Sequence, residues 1–208
     1  FSATLRPEDS YSRAATTAWQ VMALKSAQLS GITVSDDHLD LAEEFLWNCY
    51  DRRNRYFLYN REPKRLRSPW RTLPASTPAA CFCLLLLGND AEDSQLRAGL
   101  DYTVDRRPRR FARHSDTQFV LRGAGNVYFW YHGSLACFMA GGDTWRKWNR
   151  ALKRVLLGGQ SQDGSFKPID VYAEYANDND RDRSYTTAMC VLSLEVYYRY
   201  FTPLLKGR

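Results

Sequence analysis

An internal repeat with a period of about 55 residues is the feature that most constrains the fold. Three phenylalanines recur at intervals of 54 and 55 residues, each six positions after a polar residue: Asp51 and Phe57, Asp105 and Phe111, Gln160 and Phe166. An offset of 109 residues also superposes Thr77 on Thr186 and Cys81 on Cys190. Such a period predicts supersecondary units that stack and bury each other's apolar faces, as an open solenoid or as a closed ring.

Each unit contains paired segments whose apolar residues recur at helical spacing. These segments are Ser12–Leu29, Leu39–Cys49, Ala79–Leu87, Asp93–Val104, Val127–Ala140, Thr144–Leu157 and Ser184–Phe201. Gly or Pro follows most of them and marks a helix end. The sequence therefore predicts an all-helical chain of three helical hairpins and a final helix, in one domain that covers residues 1–208.

Composition agrees with a globular domain and limits the kinds of site. The chain has 208 residues, 44% of them hydrophobic, which is enough for one sizeable core. Its longest apolar run, Ala79–Leu87, is far shorter than the ~20 residues that cross a bilayer, so no transmembrane segment is expected. The five cysteines lie in apolar segments without zinc-site spacing, which predicts core residues. The cysteines do not indicate a cellular compartment. A start at Phe1 suggests a piece of a longer protein.

Positive charge is concentrated in two arginine-rich stretches, over residues 52–71 and 106–113, within a net charge of +6. Such stretches form either a solvated rim or a surface for phosphates and other anions. Because no nucleic-acid-binding motif accompanies them, a nucleic acid is not the expected partner. A basic scaffold for another protein remains one alternative function.

Three stretches resemble a known repeat family. The run from Gln160 to Phe166, QSQDGSF, resembles the Q-x3-G-x-W element of squalene and hopene cyclases, with Phe in the aromatic position. Residues 127–149 and 185–200 resemble bacterial proteins that carry prenyltransferase or squalene-oxidase repeats. The chain thus resembles the prenyltransferase and squalene–hopene cyclase repeat family, which is terpenoid cyclase-like.

That resemblance implies an α/α toroid, in which inner and outer helices surround a central cavity. Inner helices would start near Ser12, Thr77, Val127 and Ser184, and three and a half hairpins would make an incomplete ring. Gln160, Gly164 and Phe166 would then tie one hairpin to the next and would not form a site. An apolar, isoprenoid-like small molecule is the ligand that such a cavity implies.

Catalytic signatures of the family are missing from the sequence. There is no D-x-D-D acid motif, and none of the three histidines lies beside a cysteine in a zinc-binding context. No metal and no cofactor are therefore expected, and the leading interpretation is a non-catalytic or ligand-binding module. An enzyme that uses the cavity on isoprenoids, or on polysaccharides with Asp170 and Glu174 as paired acids, is the alternative.

Aromatic residues on the predicted inner helices are the candidates for lining the cavity, against the simpler interpretation that they fill the core. They are Trp19, Tyr128, Trp130, Tyr131, His132 and Tyr185. We expect any ligand to meet the start of the third inner helix and the charged loops around it. Asp178, Asp180 and Asp182 begin like a calcium loop, but Arg183 replaces its glycine, so surface or helix-capping roles are favoured.

Overall fold

A computed structural model describes residues 13–61, 73–176 and 178–199. Its helices are α1 (Ala14–Leu29), α2 (Asp36–Asn48), α3 (Ser76–Leu86), α4 (Ser94–Asp105), α5 (Asp116–Arg122), α6 (Val127–Ala140), α7 (Gly142–Gly159), α8 (Val171–Tyr175), α9 (Ser184–Leu194) and α10 (Val196–Arg199). Two short strands, β1 (Tyr50–Asp51) and β2 (Tyr56–Phe57), pair in antiparallel fashion. The predicted boundaries at Ser12 and Phe201, and residues 62–71 of the first arginine-rich stretch, lie outside the described residues.

The long helices form two layers. In the first layer α1, α3, α6 and α9 contact one another in that order, and in the second α2, α4 and α7 pack on α1, α3 and α6. Most residues of α3 and α6 are buried, because these two helices have neighbours on both sides and a second-layer helix behind them. This explains why their sequences are apolar all round.

Two glycines allow the layers to approach closely. A Cβ atom on Gly133 of α6 would lie 2.2 Å from the ring of Trp148 in α7, and one on Gly99 of α4 would lie 2.6 Å from Cys81 Sγ in α3. Trp148 is fully buried there, and its indole N–H donates to Ser134 Oγ at 3.0 Å. The small residues therefore set the spacing between the layers.

The repeat appears in the structure as a hydrogen bond from a phenylalanine N–H to a threonine hydroxyl in the next first-layer helix. After α2, the N–H of Phe57 donates to Thr77 Oγ1 in α3 at 3.1 Å. After α7, the N–H of Phe166 donates to Thr187 Oγ1 in α9 at 3.0 Å. The hydroxyl that corresponds to Thr77 is thus that of Thr187, one position beyond the Thr186 that the sequence offset selects.

The prediction of a helical chain is confirmed in its coarse form, since the described part is mostly helical and has one two-stranded ribbon. The short helices α5 and α8 and the ribbon were not predicted. The last helix also differs, because it is interrupted at Glu195, where the N–H of Tyr198 bonds the carbonyl only three residues back. No helix within the described ranges is long and apolar enough to cross a membrane.

All five cysteines are buried and none forms a disulfide. Burial raises the pKa of Cys49 to about 12 and raises those of the other four thiols as well. The thiols therefore stay protonated and pack as small apolar side chains.

Candidate functional site

The first turns of the four first-layer helices meet around one pocket of about 380 Å³. Its lining is aromatic and small: Tyr59, Tyr128, Tyr172, Tyr185, Ala15, Leu73, Ala75 and Ser76. We call this cavity the tyrosine pocket. Among these residues Ala15, Ser76, Tyr128 and Tyr185 are each the first or second residue of α1, α3, α6 and α9. The repeat thus brings equivalent helix positions to one place.

Buried carboxylates hold the helix starts in place around the pocket. Asp170 accepts the N–H of Val127, at the start of α6, at 2.7 Å and that of Tyr172, at the start of α8, at 2.6 Å. Asp178 accepts the N–H groups of Tyr185 and Thr186 at 3.2 and 2.9 Å. Each carboxylate therefore accepts hydrogen bonds from helix N–H groups. Its negative charge also lies at the positive end of a helix dipole, where it is stabilising.

Burial raises the pKa of Asp170 to about 7, although the N–H bonds to its carboxylate act in the opposite direction. Glu174, its proposed partner as a second acid, lies exposed and forms an ion pair with Arg113. The two carboxylates are thus engaged with different groups, and Asp170 has both oxygens occupied by backbone donors.

Three of the four tyrosine hydroxyls of the pocket, those of Tyr128, Tyr172 and Tyr185, are neutral at ordinary pH. Burial raises the pKa of Tyr128 to about 12 and also raises those of Tyr172 and Tyr185. Tyr128 is oriented by Trp19, whose indole N–H donates to its hydroxyl oxygen at 2.7 Å. With that oxygen already accepting a bond, the hydroxyl proton of Tyr128 remains available as a donor.

Ser76 supplies a second polar group to the tyrosine pocket. Its side chain is fully buried, and its Oγ has no hydrogen-bond partner among the residues that the structure describes. A buried hydroxyl without a partner loses the hydrogen bonds that water would give it. Ser76 borders the pocket, and a ligand oxygen that reached its Oγ would restore one of them.

Of the six predicted cavity residues, the structure places Tyr128 and Tyr185 in the lining. Trp19 is 42% exposed and connects to the pocket through Tyr128. Behind it Tyr131 stacks on its ring at 5.9 Å, and His132 contacts it edge-on at the same distance. These two residues are buried and lie beside the pocket.

Trp130, the sixth candidate, lies in the core, away from the lining. It is 1% exposed and contacts Phe111, at 6.1 Å between ring centroids. Phe111 in turn contacts Phe166, so Trp130 belongs to the aromatic packing between repeats.

His132 is fully buried, and burial lowers its pKa to about 4. Its Nδ1 lies 3.1 Å from the carbonyl oxygen of Tyr128, which can only accept, so Nδ1 carries the proton. Its Nε2 has no partner among the described residues. The ring is therefore a neutral core imidazole with one unfilled acceptor.

The predicted repeat motif forms a small closed turn. Gln160 donates its side-chain amide to the carbonyl of Gly164 at 3.0 Å, and Gly164 adopts φ +84°. Phe166 pairs with Gln160 as an isolated antiparallel bridge and is 1% exposed. This arrangement corresponds to the pairing of Tyr50 with Phe57 after α2.

Two of the three aspartates in the loop before α9 form hydrogen bonds at the start of that helix. Asp178 caps that helix, and Asp182 accepts a hydrogen bond from the hydroxyl of Ser184. In the described ranges, no group of three or more His, Cys, Asp or Glu side chains could hold a metal ion.

Tyr59 and Tyr172 are pocket residues that the sequence did not reveal. Both lie outside the periodic segments, Tyr59 just after β2 and Tyr172 in α8. A signal for α8 was present, since Asp170 two residues before Tyr172 is a favoured helix-capping type. No comparable signal marked Tyr59.

Comparison of the chain with protein-family models, with curated proteins and with solved structures gives no match.

Proposed function

We propose that this chain is a ligand-binding module of the α/α-toroid type, with the tyrosine pocket as its site. The ligand would be a neutral small molecule with an apolar, isoprenoid-like body and an oxygen atom that forms hydrogen bonds. The observation that carries the proposal is the convergence of four tyrosines and the unpartnered Ser76 hydroxyl at one concave site.

The chemistry of the lining supports a neutral ligand. Within the described residues the pocket is lined by tyrosine, alanine, leucine and serine side chains and by no carboxylate, amine or guanidinium. Mostly apolar concave surfaces with a few polar groups are typical of small-molecule sites. The polar groups available here are hydroxyls, which suit an alcohol or a carbonyl.

The same lining favours binding over catalysis. A general acid or base needs a titratable group within hydrogen-bond reach of the substrate. Tyr128, Tyr172 and Tyr185 have raised pKa values. The nearby Asp170 already accepts two backbone N–H groups. The side chains are therefore arranged to hold a molecule.

Helix order supports the toroid-type architecture. The first layer runs α1, α3, α6, α9 and the second α2, α4, α7, which is the alternation that inner and outer helices of a toroid require. The turn at Gln160–Phe166 also supports the resemblance to the cyclase repeats.

Binding of farnesol, followed by calorimetry and by tryptophan fluorescence, tests the proposal. Trp19 bonds Tyr128, so occupation of the pocket should change its emission. Tyr185→Ala should weaken binding about tenfold or more, because it removes one wall of the pocket. Tyr175→Ala is the matched control, since Tyr175 is 83% exposed, and it should leave binding unchanged.

A comparison of farnesol with the corresponding hydrocarbon tests the role of Ser76. Ser76→Ala should weaken the binding of farnesol by about 1.4 kcal/mol, or tenfold in affinity, and leave the binding of the hydrocarbon unchanged. If each ligand bound the Tyr185→Ala variant as tightly as the wild type, both ligands would have to bind elsewhere, and the proposed site would be refuted.

A further inference from the structure

A second cavity, of about 480 Å³, lies between the end of α4 and the helix α5. Five arginines line it: Arg106, Arg107, Arg109, Arg110 and Arg122. We call it the arginine pocket. Asp105 is the one carboxylate in its described lining, and Pro108 and Gly125 contribute buried surface. The cavity therefore carries a strong excess of positive charge.

Two of these arginines are fixed by the carbonyl groups at the end of α4. Arg106 lies 3.6 Å above the ring of Tyr102 and donates to that residue's carbonyl at 3.3 Å. Arg107 donates to the carbonyl of Val104 at 2.9 Å. These contacts with carbonyl groups at the helix end hold two guanidinium groups near the cavity.

The other three arginines are available to a ligand. Arg109, Arg110 and Arg122 are exposed, and none of their guanidinium groups forms a hydrogen bond or an ion pair with any residue that the structure describes. Clusters of like charge repel one another, which disfavours the pocket when it is empty. A bound anion would attract each guanidinium group and so offset the repulsion between them.

Another part of the arginine pocket is closely packed. A Cβ atom on Gly125, whose φ is +64°, would lie 2.9 Å from the ring of His114 and 3.0 Å from the carbonyl of Ala112. His114 is in turn held through Nδ1 to Gln118 Oε1 at 3.2 Å, and Gln118 forms a capping box with Ser115. The cavity is therefore shaped in advance of binding, which lowers the entropic penalty of association.

We propose that the arginine pocket binds a small soluble polyanion that carries two or more phosphate groups. Guanidinium groups match phosphate oxygens in bidentate geometry, and several of them around one cavity suit several phosphates. A concave cavity favours a compact ligand over a flat membrane surface. This site is separate from the tyrosine pocket and stands independently of the function proposed for it.

Calorimetric titration with tripolyphosphate at about 0.15 M salt tests the proposal. The double variant Arg109→Gln/Arg110→Gln should weaken binding about tenfold or more, because it removes two free guanidinium groups of the pocket. Both side chains are exposed, so the variant should keep the helical circular dichroism of the wild type.

The matched control is Arg150→Gln/Arg154→Gln. These arginines lie on the exposed face of α7 and the change removes the same amount of charge. It should leave tripolyphosphate binding unchanged. Equal weakening by both variants would show that net charge alone attracts the anion, and no measurable binding to wild type would equally overturn the proposal.

A lipid headgroup is the other source of clustered phosphates. Soluble inositol trisphosphate should compete with tripolyphosphate for the wild-type protein. Binding to vesicles that contain a bisphosphorylated inositol lipid, without any competition by the soluble headgroup, would assign the arginines to a membrane surface and contradict a soluble ligand.

Discussion

His132 shows how one residue connects burial, charge and stability. Its folded pKa is about 4, below its ordinary value of 6.5, because burial penalises the charged ring. As pH falls through 6.5 the unfolded chain takes up a proton that the folded chain refuses until about pH 4. The unfolded state binds more protons in that window, so the fold loses stability as pH falls.

The variant His132→Asn should remove this pH dependence. Asparagine keeps an N–H donor for the carbonyl of Tyr128 but does not titrate. Between pH 7 and pH 4 the wild type should lose about 3 kcal/mol of unfolding free energy more than the variant. Urea denaturation of both proteins at each pH measures this, and a constant difference would mean that His132 is not buried in its neutral form.

At the residue scale, periodicity placed two of the candidate residues at helix positions that meet at the tyrosine pocket, and their role in binding stays a prediction. Tyr128 and Tyr185 occupy the second position of predicted helices and line the tyrosine pocket. Trp130 has the same aromatic character but packs in the core. The sequence could not separate it from the lining residues, because composition does not reveal which side of a fully surrounded helix faces a cavity. Tyr59 and Tyr172 lie in connections, whose course depends on tertiary contacts.

At the scale of elements, long helices followed from their hydrophobic spacing and short ones did not. The helix α5 has seven residues, too few for a periodic pattern, yet its ends carry clear signals. Ser115 and Gln118 form a capping box, and Gly123 adopts φ +65° at the other end. Capping chemistry therefore identifies short helices that periodicity misses.

The spacing of α6 and α7 gives a prediction at this scale. Gly133→Ala would bring a methyl group within 2.2 Å of the buried ring of Trp148, so we expect a loss of about 1–3 kcal/mol of stability or more. Gly158→Ala, in α7 with nothing within 4 Å, should instead stabilise by about 0.5–1 kcal/mol. Chemical denaturation compares them, and equal effects would mean that the layers are not in contact at Gly133.

At the scale of the whole molecule, the repeat determines where a site can form. Each unit places the start of a first-layer helix beside the next, and the loops that enter those helices supply Tyr59 and Tyr172. The sequence predicted that any ligand would contact the loops entering one layer of helices, and this stays a prediction. It did not predict the depth of the pocket, which depends on how α8 packs against α5 and α6.

Photo-crosslinking with a diazirine derivative of farnesol tests the central claim most directly. If the tyrosine pocket binds an apolar ligand, adducts should map by mass spectrometry to peptides that contain Tyr59, Tyr128, Tyr172 or Tyr185, and excess farnesol should suppress them. Adducts confined to the exposed face of α7, or adducts that excess farnesol does not suppress, would contradict the account.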